Sequence, residues 1–249
     1  MPPSTDSKSY PQSIRDFLWD TLFPKRCLAC RKESSFLCSE CLLKISMRLE
    51  QVCPYCEKIT TPQGQICPSC RERKLCHLDS LSVVSSYKNP LDKLVHSFKY
   101  NFLEELTEVL GKLIIDFVRN SNLEIPDLIT PVPLHSFRLR WRGFNQSFLL
   151  AKKLGDELTP GFPLPAYEIL QRTRWSSPQM KLSGYRERQS NARGIFCLTN
   201  PSAVQGLKIL LIDDISTTGA TLFECAKVLK EGGARKVSAL VLARQEINP

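Results

Sequence analysis

The sequence predicts an α/β domain built on a parallel sheet, preceded by a small metal-binding module. Three observations carry this expectation. Nine of the eleven cysteines crowd between Cys27 and Cys76. Residues 207–212 form an almost unbroken apolar run, as in a strand buried on both faces of a parallel sheet. Across 207–242 the pattern reads strand, loop of small residues, helix, strand, which is a βαβ unit.

A chain of 249 residues exceeds the usual single domain and falls short of two full-sized ones. One small module and one domain of roughly 150 to 180 residues fit best. The division read from composition is a tail with a short helix over 1–23, a cysteine module over 24–78 and the α/β domain over 79–249. A hydrophobic content of 42% is enough for a core in the larger piece. Residues 1–20 hold no apolar run of signal-peptide length, and no stretch approaches the ~20 apolar residues of a membrane span. A cytoplasmic protein without membrane insertion is therefore expected, and reduced thiols favour metal binding over disulfides.

In chain order, residues 13–23 carry Ile14, Phe17, Leu18 and Leu22 at the spacing of a short amphipathic helix. Residues 81–87 have strand character, and 90–119 read as one long or broken helix. A short strand follows over 127–132, ended by Pro131 and Pro133. Residues 144–158 suit a helix. After the buried strand at 207–212 comes a helix over 221–231 that stops at Gly232 and Gly233, and then a strand over 236–242.

Four Cys-x-x-Cys pairs stand in the module: Cys27 with Cys30, Cys38 with Cys41, Cys53 with Cys56, and Cys67 with Cys70. A two-residue gap lets both thiolates of a knuckle face one metal, and two knuckles complete a tetrahedral site. Eight ligands imply two zinc ions. Pairing neighbouring knuckles is the simpler arrangement, and a cross-braced pairing stays open. Redox use is disfavoured, because such motifs come singly beside a βαβ pattern. Four thiolates leave no open position, so the zinc is structural and supplies much of the module's folding free energy.

The segment 209–222 carries the most chemistry. Its strand delivers Asp213 and Asp214 to the carboxyl end, where ligands gather in open α/β sheets. Ser216, Thr217, Thr218, Gly219, Ala220 and Thr221 follow, small or hydroxylated residues just before a helix. Backbone N–H groups in such a turn converge on a phosphate, and the acids suit the 2- and 3-hydroxyls of a ribose. The bland alternative is a capped turn with Thr217 or Thr218 as N-cap. Upstream, Arg138, Arg140 and Arg142 follow a Pro-ended strand and are joined by Gly143, a basic loop able to meet a diphosphate. Arg186, Arg188 and Asn191 lie in a polar stretch, 172–193, that suits a flap over a ligand.

The segment 209–222 resembles the phosphoribosyl-diphosphate signature of type I phosphoribosyltransferases. Residues 131–147 (Pro-Val-Pro-Leu-His-Ser-Phe-Arg-Leu-Arg-Trp-Arg-Gly-Phe-Asn-Gln-Ser) and 179–191 are similar to stretches of the ComF competence family within that fold. A double zinc ribbon before the domain is typical of the family, and the resemblance spans 24–244. It implies a parallel-sheet type I phosphoribosyltransferase fold that binds phosphoribosyl diphosphate with Mg2+. The implied contacts are Asp213, Asp214, Ser216, Thr217, Thr218, Gly219, Ala220, Thr221, Arg142 and Gly143. If the site is catalytic, Asp213 and Asp214 stabilise charge on the sugar while Arg142 and Arg186 meet the leaving group; the acceptor is not readable. Lys99 and Tyr100 match a Lys-Tyr pair of the family, and His96 reads as a surface residue.

Net charge of +9 suits polyanions but does not choose among them. With Trp141, Phe144 and Trp175 among arginines, it supports a second expectation. That is a non-catalytic accessory of DNA uptake whose partners, as the resemblance implies, are single-stranded DNA and a competence helicase.

Overall fold

A computed structural model describes residues 25–33, 35–48, 50–72, 76–101, 103–158, 164, 166–173 and 194–245. The helix expected over 13–23 and residues 174–193 of the expected flap, with Arg186, Arg188, Asn191 and Trp175, lie outside these residues, whereas Arg172 at the start of that stretch is a strand residue.

Four parallel strands form the central sheet: β1 (Ser80–Ser86), β2 (Leu128–Pro131), β5 (Lys208–Ser216) and β6 (Lys236–Arg244). Their order across the sheet is β1-β6-β5-β2, which puts the apolar strand β5 inside. β3 (Leu170–Arg172) and β4 (Phe196–Leu198) make a separate antiparallel pair that the sequence pattern did not reveal. The α/β class with a parallel sheet is as expected.

Alternation along β5 divides the core. Leu210 and Ile212 belong to a cluster with α3 (Leu91–Tyr100), α4 (Leu106–Asn120) and α6 (Gln146–Leu158). Ile209 and Leu211 belong to a second cluster with Leu222, Cys225, Ala226 and Leu229 of α7 (Ala220–Glu231). Helices on both faces explain why the strand reads as continuously apolar rather than alternating.

Several boundaries differ from the sequence reading. The stretch 90–119 takes the broken form of its expectation, two helices separated between Tyr100 and Leu106. β5 continues to Ser216, because pairing with β6 extends past the apolar run, so Asp213 and Asp214 are strand residues. The expected basic loop is a helix, α5 (Ser136–Arg142), capped by the His135 side chain, which accepts from Phe137 N–H, and closed by Gly143 in the left-handed region at φ 86°. Phe144, one of the aromatics among arginines that supports the nucleic-acid expectation, is buried against Phe98 with ring centroids 5.5 Å apart.

The cysteine module adds two short helical turns, α1 (Ser39–Leu42) and α2 (Pro68–Arg71), each opening on a cysteine knuckle. Among the described residues no helix is long and apolar enough to cross a membrane.

Candidate functional site

An open cleft with a cavity volume of about 140 Å³ lies at the carboxyl ends of β5 and β2. Asp213, Asp214, Thr217 and Thr221 line it together with Arg138, Arg142 and Arg172. This is where loops of a parallel sheet can turn toward a ligand.

The two acids have different settings. Asp214 continues the even-numbered face of β5 and is 2% exposed. Its Oδ1 lies 2.9 Å from Lys99 Nζ on α3, while its buried Oδ2 has no hydrogen-bond partner among the described residues. Asp213 is partly exposed; its Oδ1 accepts from Ser147 Oγ and from Asp214 N–H, both at 2.9 Å. Burial first, and the neighbouring Asp214 charge second, push the Asp213 carboxyl up to about 7, against the pull of Lys99 and Ser147. The sequence reading treated the acids as equivalent. The structure makes Asp213 the more open one and binds Asp214 to Lys99.

After the acids, the chain turns through Thr217 and Thr218 into α7. Gly219 is the N-cap at φ 76°, a conformation that disfavours any Cβ, and the Phe223 ring lies 3.0 Å from where that Cβ would sit. Neither threonine caps the helix, although Thr218 Oγ1 accepts from Ala220 N–H at 3.4 Å. Ser216, Thr218 and Ala220 are buried, and Ser216 Oγ has no hydrogen-bond partner among the described residues.

In the same cleft, α5 places Arg138 and Arg142 one helical turn apart on a single face. Arg142 is 7% exposed, donates from Nη1 to Gln146 Oε1 and lies over the Tyr100 ring at 5.7 Å. Burial lowers its pKa, offset by the Asp214 charge. Burial also lowers Arg138, and it brings Arg172 down to about 10 with the Arg138 charge adding to the effect. Arg140 points away and is exposed, and exposed Gly143 does not line the cleft. Like charges held together out of water are stabilised by an anion. Neither Arg172 nor Ser147 is singled out by the sequence: Arg172 enters it only as the first residue of the flap stretch and arrives at the cleft through the β3-β4 pair, a non-local contact with no local pattern, and Ser147 ends the 131–147 stretch without a distinguishing neighbour. Lys99 and Tyr100 line the cleft, and His96 is exposed.

The cysteines form two sets, Cys27, Cys30, Cys38, Cys41 and Cys53, Cys56, Cys67, Cys70, each with all Sγ atoms within 4.8 Å of one another. Neighbouring knuckles therefore pair, and the cross-braced option is removed. Sγ separations of 3.7 Å (Cys30 to Cys38) and 3.8 Å (Cys56 to Cys67) match the edge of a tetrahedron with Zn–S bonds of ~2.3 Å. The donor sets fit structural zinc.

A family model described as a double zinc ribbon domain matches residues 18–71, and one described as a phosphoribosyl transferase domain matches residues 145–248. The chain is 34% identical over 229 residues to "DNA utilization protein YhgH" of Salmonella typhimurium, covering 89% of this chain and 97% of that protein. It is 30% identical to "Competence protein ComFC" of Bacillus subtilis (94% and 92% covered). It is 29% identical to "Competence protein F" of Haemophilus influenzae (89% and 98% covered).

Proposed function

This chain belongs to the ComF family of competence-related proteins, with a double zinc ribbon and a phosphoribosyltransferase-fold domain, and on that premise we propose that its cleft binds phosphoribosyl diphosphate with magnesium. One observation carries the reading: the acid pair, Thr217 and Thr221 share a single cleft with three partly desolvated arginines. In this reading the turn holds the 5-phosphate through main-chain N–H groups and hydroxyls at the start of α7. Asp213 accepts from the ribose hydroxyls, with Asp214 and Lys99 behind it. Arg138, Arg142 and Arg172 meet the diphosphate.

The donors at Asp213 and at Asp214 Oδ2 are all oxygen, as a hard cation requires. Bound magnesium would neutralise part of the diphosphate charge. In phosphoribosyl transfer the C1–O bond to diphosphate breaks and its electron pair leaves with diphosphate. An acceptor nitrogen then bonds to C1 and releases its proton to solvent. Carboxylates beside the ring stabilise the positive charge that develops on it, and the arginines receive the charge on the leaving group. Eight cysteine thiolates kept for metal need a reducing compartment, so a cytoplasmic location is part of this reading.

The test is ligand-induced stabilisation. Phosphoribosyl diphosphate with magnesium should raise the melting temperature of the wild type and leave Asp213→Asn/Asp214→Asn unmoved. Equal shifts in both proteins, or none in either, defeat the proposal. Pyrophosphate release with nucleobases, ammonia or amines then tests for transfer.

A second reading, single-stranded DNA binding, is favoured by the outer face of α5. Phe137 and Trp141 are 59% and 53% exposed there, one turn apart, with Arg140 beside them. Bases stack on such aromatics while arginine neutralises phosphate. The relatives' names, "DNA utilization" and "Competence", agree with it, and a competence helicase as partner belongs to the same reading. Trp141→Ala should weaken binding of a fluorescent oligonucleotide about tenfold at low salt. No change would remove this reading.

A further inference from the structure

The second cysteine tetrad lies along the β1 edge of the sheet, and its first knuckle reaches both the helix that follows the phosphate loop and the last residue of β6. In the knuckle between Cys53 and Cys56, Tyr55 stacks on Phe223 with ring centroids 4.7 Å apart and planes 15° from parallel. Phe223 stands in the first turn of α7, with its ring against Gly219. The Tyr55 hydroxyl accepts from Leu78 N–H at 3.1 Å, which fixes the ring from its other end. Glu57 follows the knuckle in a left-handed conformation, φ 57°, and its Oε1 lies 2.6 Å from Arg244 Nη2. The Arg244 side chain is only 6% exposed. Arg244 is in register with Ser216, and the next residue, Gln245, donates its N–H to Ser216 O at 3.0 Å. Two separate routes thus run from one knuckle to the two ends of the turn at 216–219.

The first tetrad packs elsewhere. Cys27, Cys38 and Cys41 join the core cluster on the other face of the sheet, with α3 and α4. Lys93 Nζ donates to Ala29 O there at 3.1 Å.

A knuckle with almost no core of its own keeps its shape through its metal. Without it, the backbone that carries the Tyr55 ring and the Glu57 carboxylate loses its anchor, and only the Phe223 stack, the Leu78 hydrogen bond and the Arg244 ion pair remain to hold them. We propose that Tyr55 and Glu57 are positioning residues that transmit the zinc-held shape of the second knuckle to residues 216–219, so that ligand affinity in the cleft depends on zinc at Cys53, Cys56, Cys67 and Cys70. This rests on the cleft's being a phosphoribosyl diphosphate site. The two zinc sites then differ in role: the first braces the helical face, and the second tunes the loop.

The experiment uses the full chain and measures zinc content, binding of phosphoribosyl diphosphate with magnesium by calorimetry, and amide hydrogen exchange. Tyr55→Leu and Glu57→Gln leave all eight cysteines in place. They should retain wild-type zinc, bind the ligand about tenfold more weakly and exchange faster over 214–222. Tyr55→Phe keeps the stacked ring and should restore most of the affinity lost in Tyr55→Leu. Leu28→Ala, in the first knuckle, should bind as the wild type does. Wild-type affinity and exchange in both Tyr55→Leu and Glu57→Gln overturn the proposal, as does an equal loss in Leu28→Ala. If the wild type itself binds no ligand, the reading of the cleft falls and exchange alone decides the coupling. Faster exchange confined to 214–222 in Tyr55→Leu supports it, and unchanged exchange overturns it.

Discussion

Lys99 and the acid pair fix the chemistry of the cleft at the scale of single residues. Lys99 and Asp214 are 15% and 3% exposed, so removing the lysine leaves a carboxylate buried without its counter-charge. Lys99→Met should destabilise the fold by about 3–5 kcal/mol, and adding Asp214→Leu should recover most of it. Urea unfolding of the two single variants and the double variant measures that coupling. Asp213 sets a pH dependence. Its carboxyl ionises at about 7 in the folded chain, against 3.8 as its ordinary value, so between these the folded chain holds a proton that the unfolded chain has released. The raised pKa therefore adds stability below about pH 4, and that contribution is lost as pH climbs through about 7. Relative to Asp213→Asn, the wild type should lose melting temperature between about pH 4 and 7 and level off above. Parallel curves would mean that the Asp213 carboxyl is not shifted in the apo protein. The aspartates were legible from sequence because they end an apolar strand, whereas their inequality was not. It depends on Lys99 arriving from a helix more than a hundred residues earlier.

Elements explain which basic residues count. Three alternate arginines in a loop would be equivalent; on α5 the 100° step per residue sends Arg138 and Arg142 inward and leaves Arg140 in solvent. Arg142→Ala should thus reduce ligand-induced stabilisation strongly, and Arg140→Ala should not, as thermal shift with phosphoribosyl diphosphate and magnesium would read. Comparable losses would return the segment to the basic-loop picture. The cysteine knuckles were legible as metal sites from their two-residue gaps, but both pairings satisfy that spacing. The positions of the Sγ atoms, within 4.8 Å of one another in each set, decide in favour of neighbours. Metal analysis should find two zinc ions per chain, and a strong chelator should unfold the module while the parallel sheet keeps most of its far-ultraviolet signal. Full loss of that signal would mean the sheet cannot stand without the ribbons.

On the scale of the whole molecule, net +9 gives a long-range attraction for polyanions, and the cleft gives a local one. The two separate by salt. Oligonucleotide affinity, if carried by surface charge and α5, should fall steeply and linearly on a log-log plot between about 50 and 200 mM salt. A flat profile would place any DNA contact outside the basic surface. By itself the sequence determined the α/β class, the metal module and the strand-to-helix turn at 209–222. Those features are local: the apolar run, the thiol spacing and the acids before small residues each sit within a few positions of one another. Tertiary structure alone decided how the cleft is completed. Arg172 comes from a pair of short strands with no period to detect, Lys99 from across the core, and Tyr55 from a different module. Contacts between distant segments follow from packing, and side-chain periodicity along one segment carries no record of its partner.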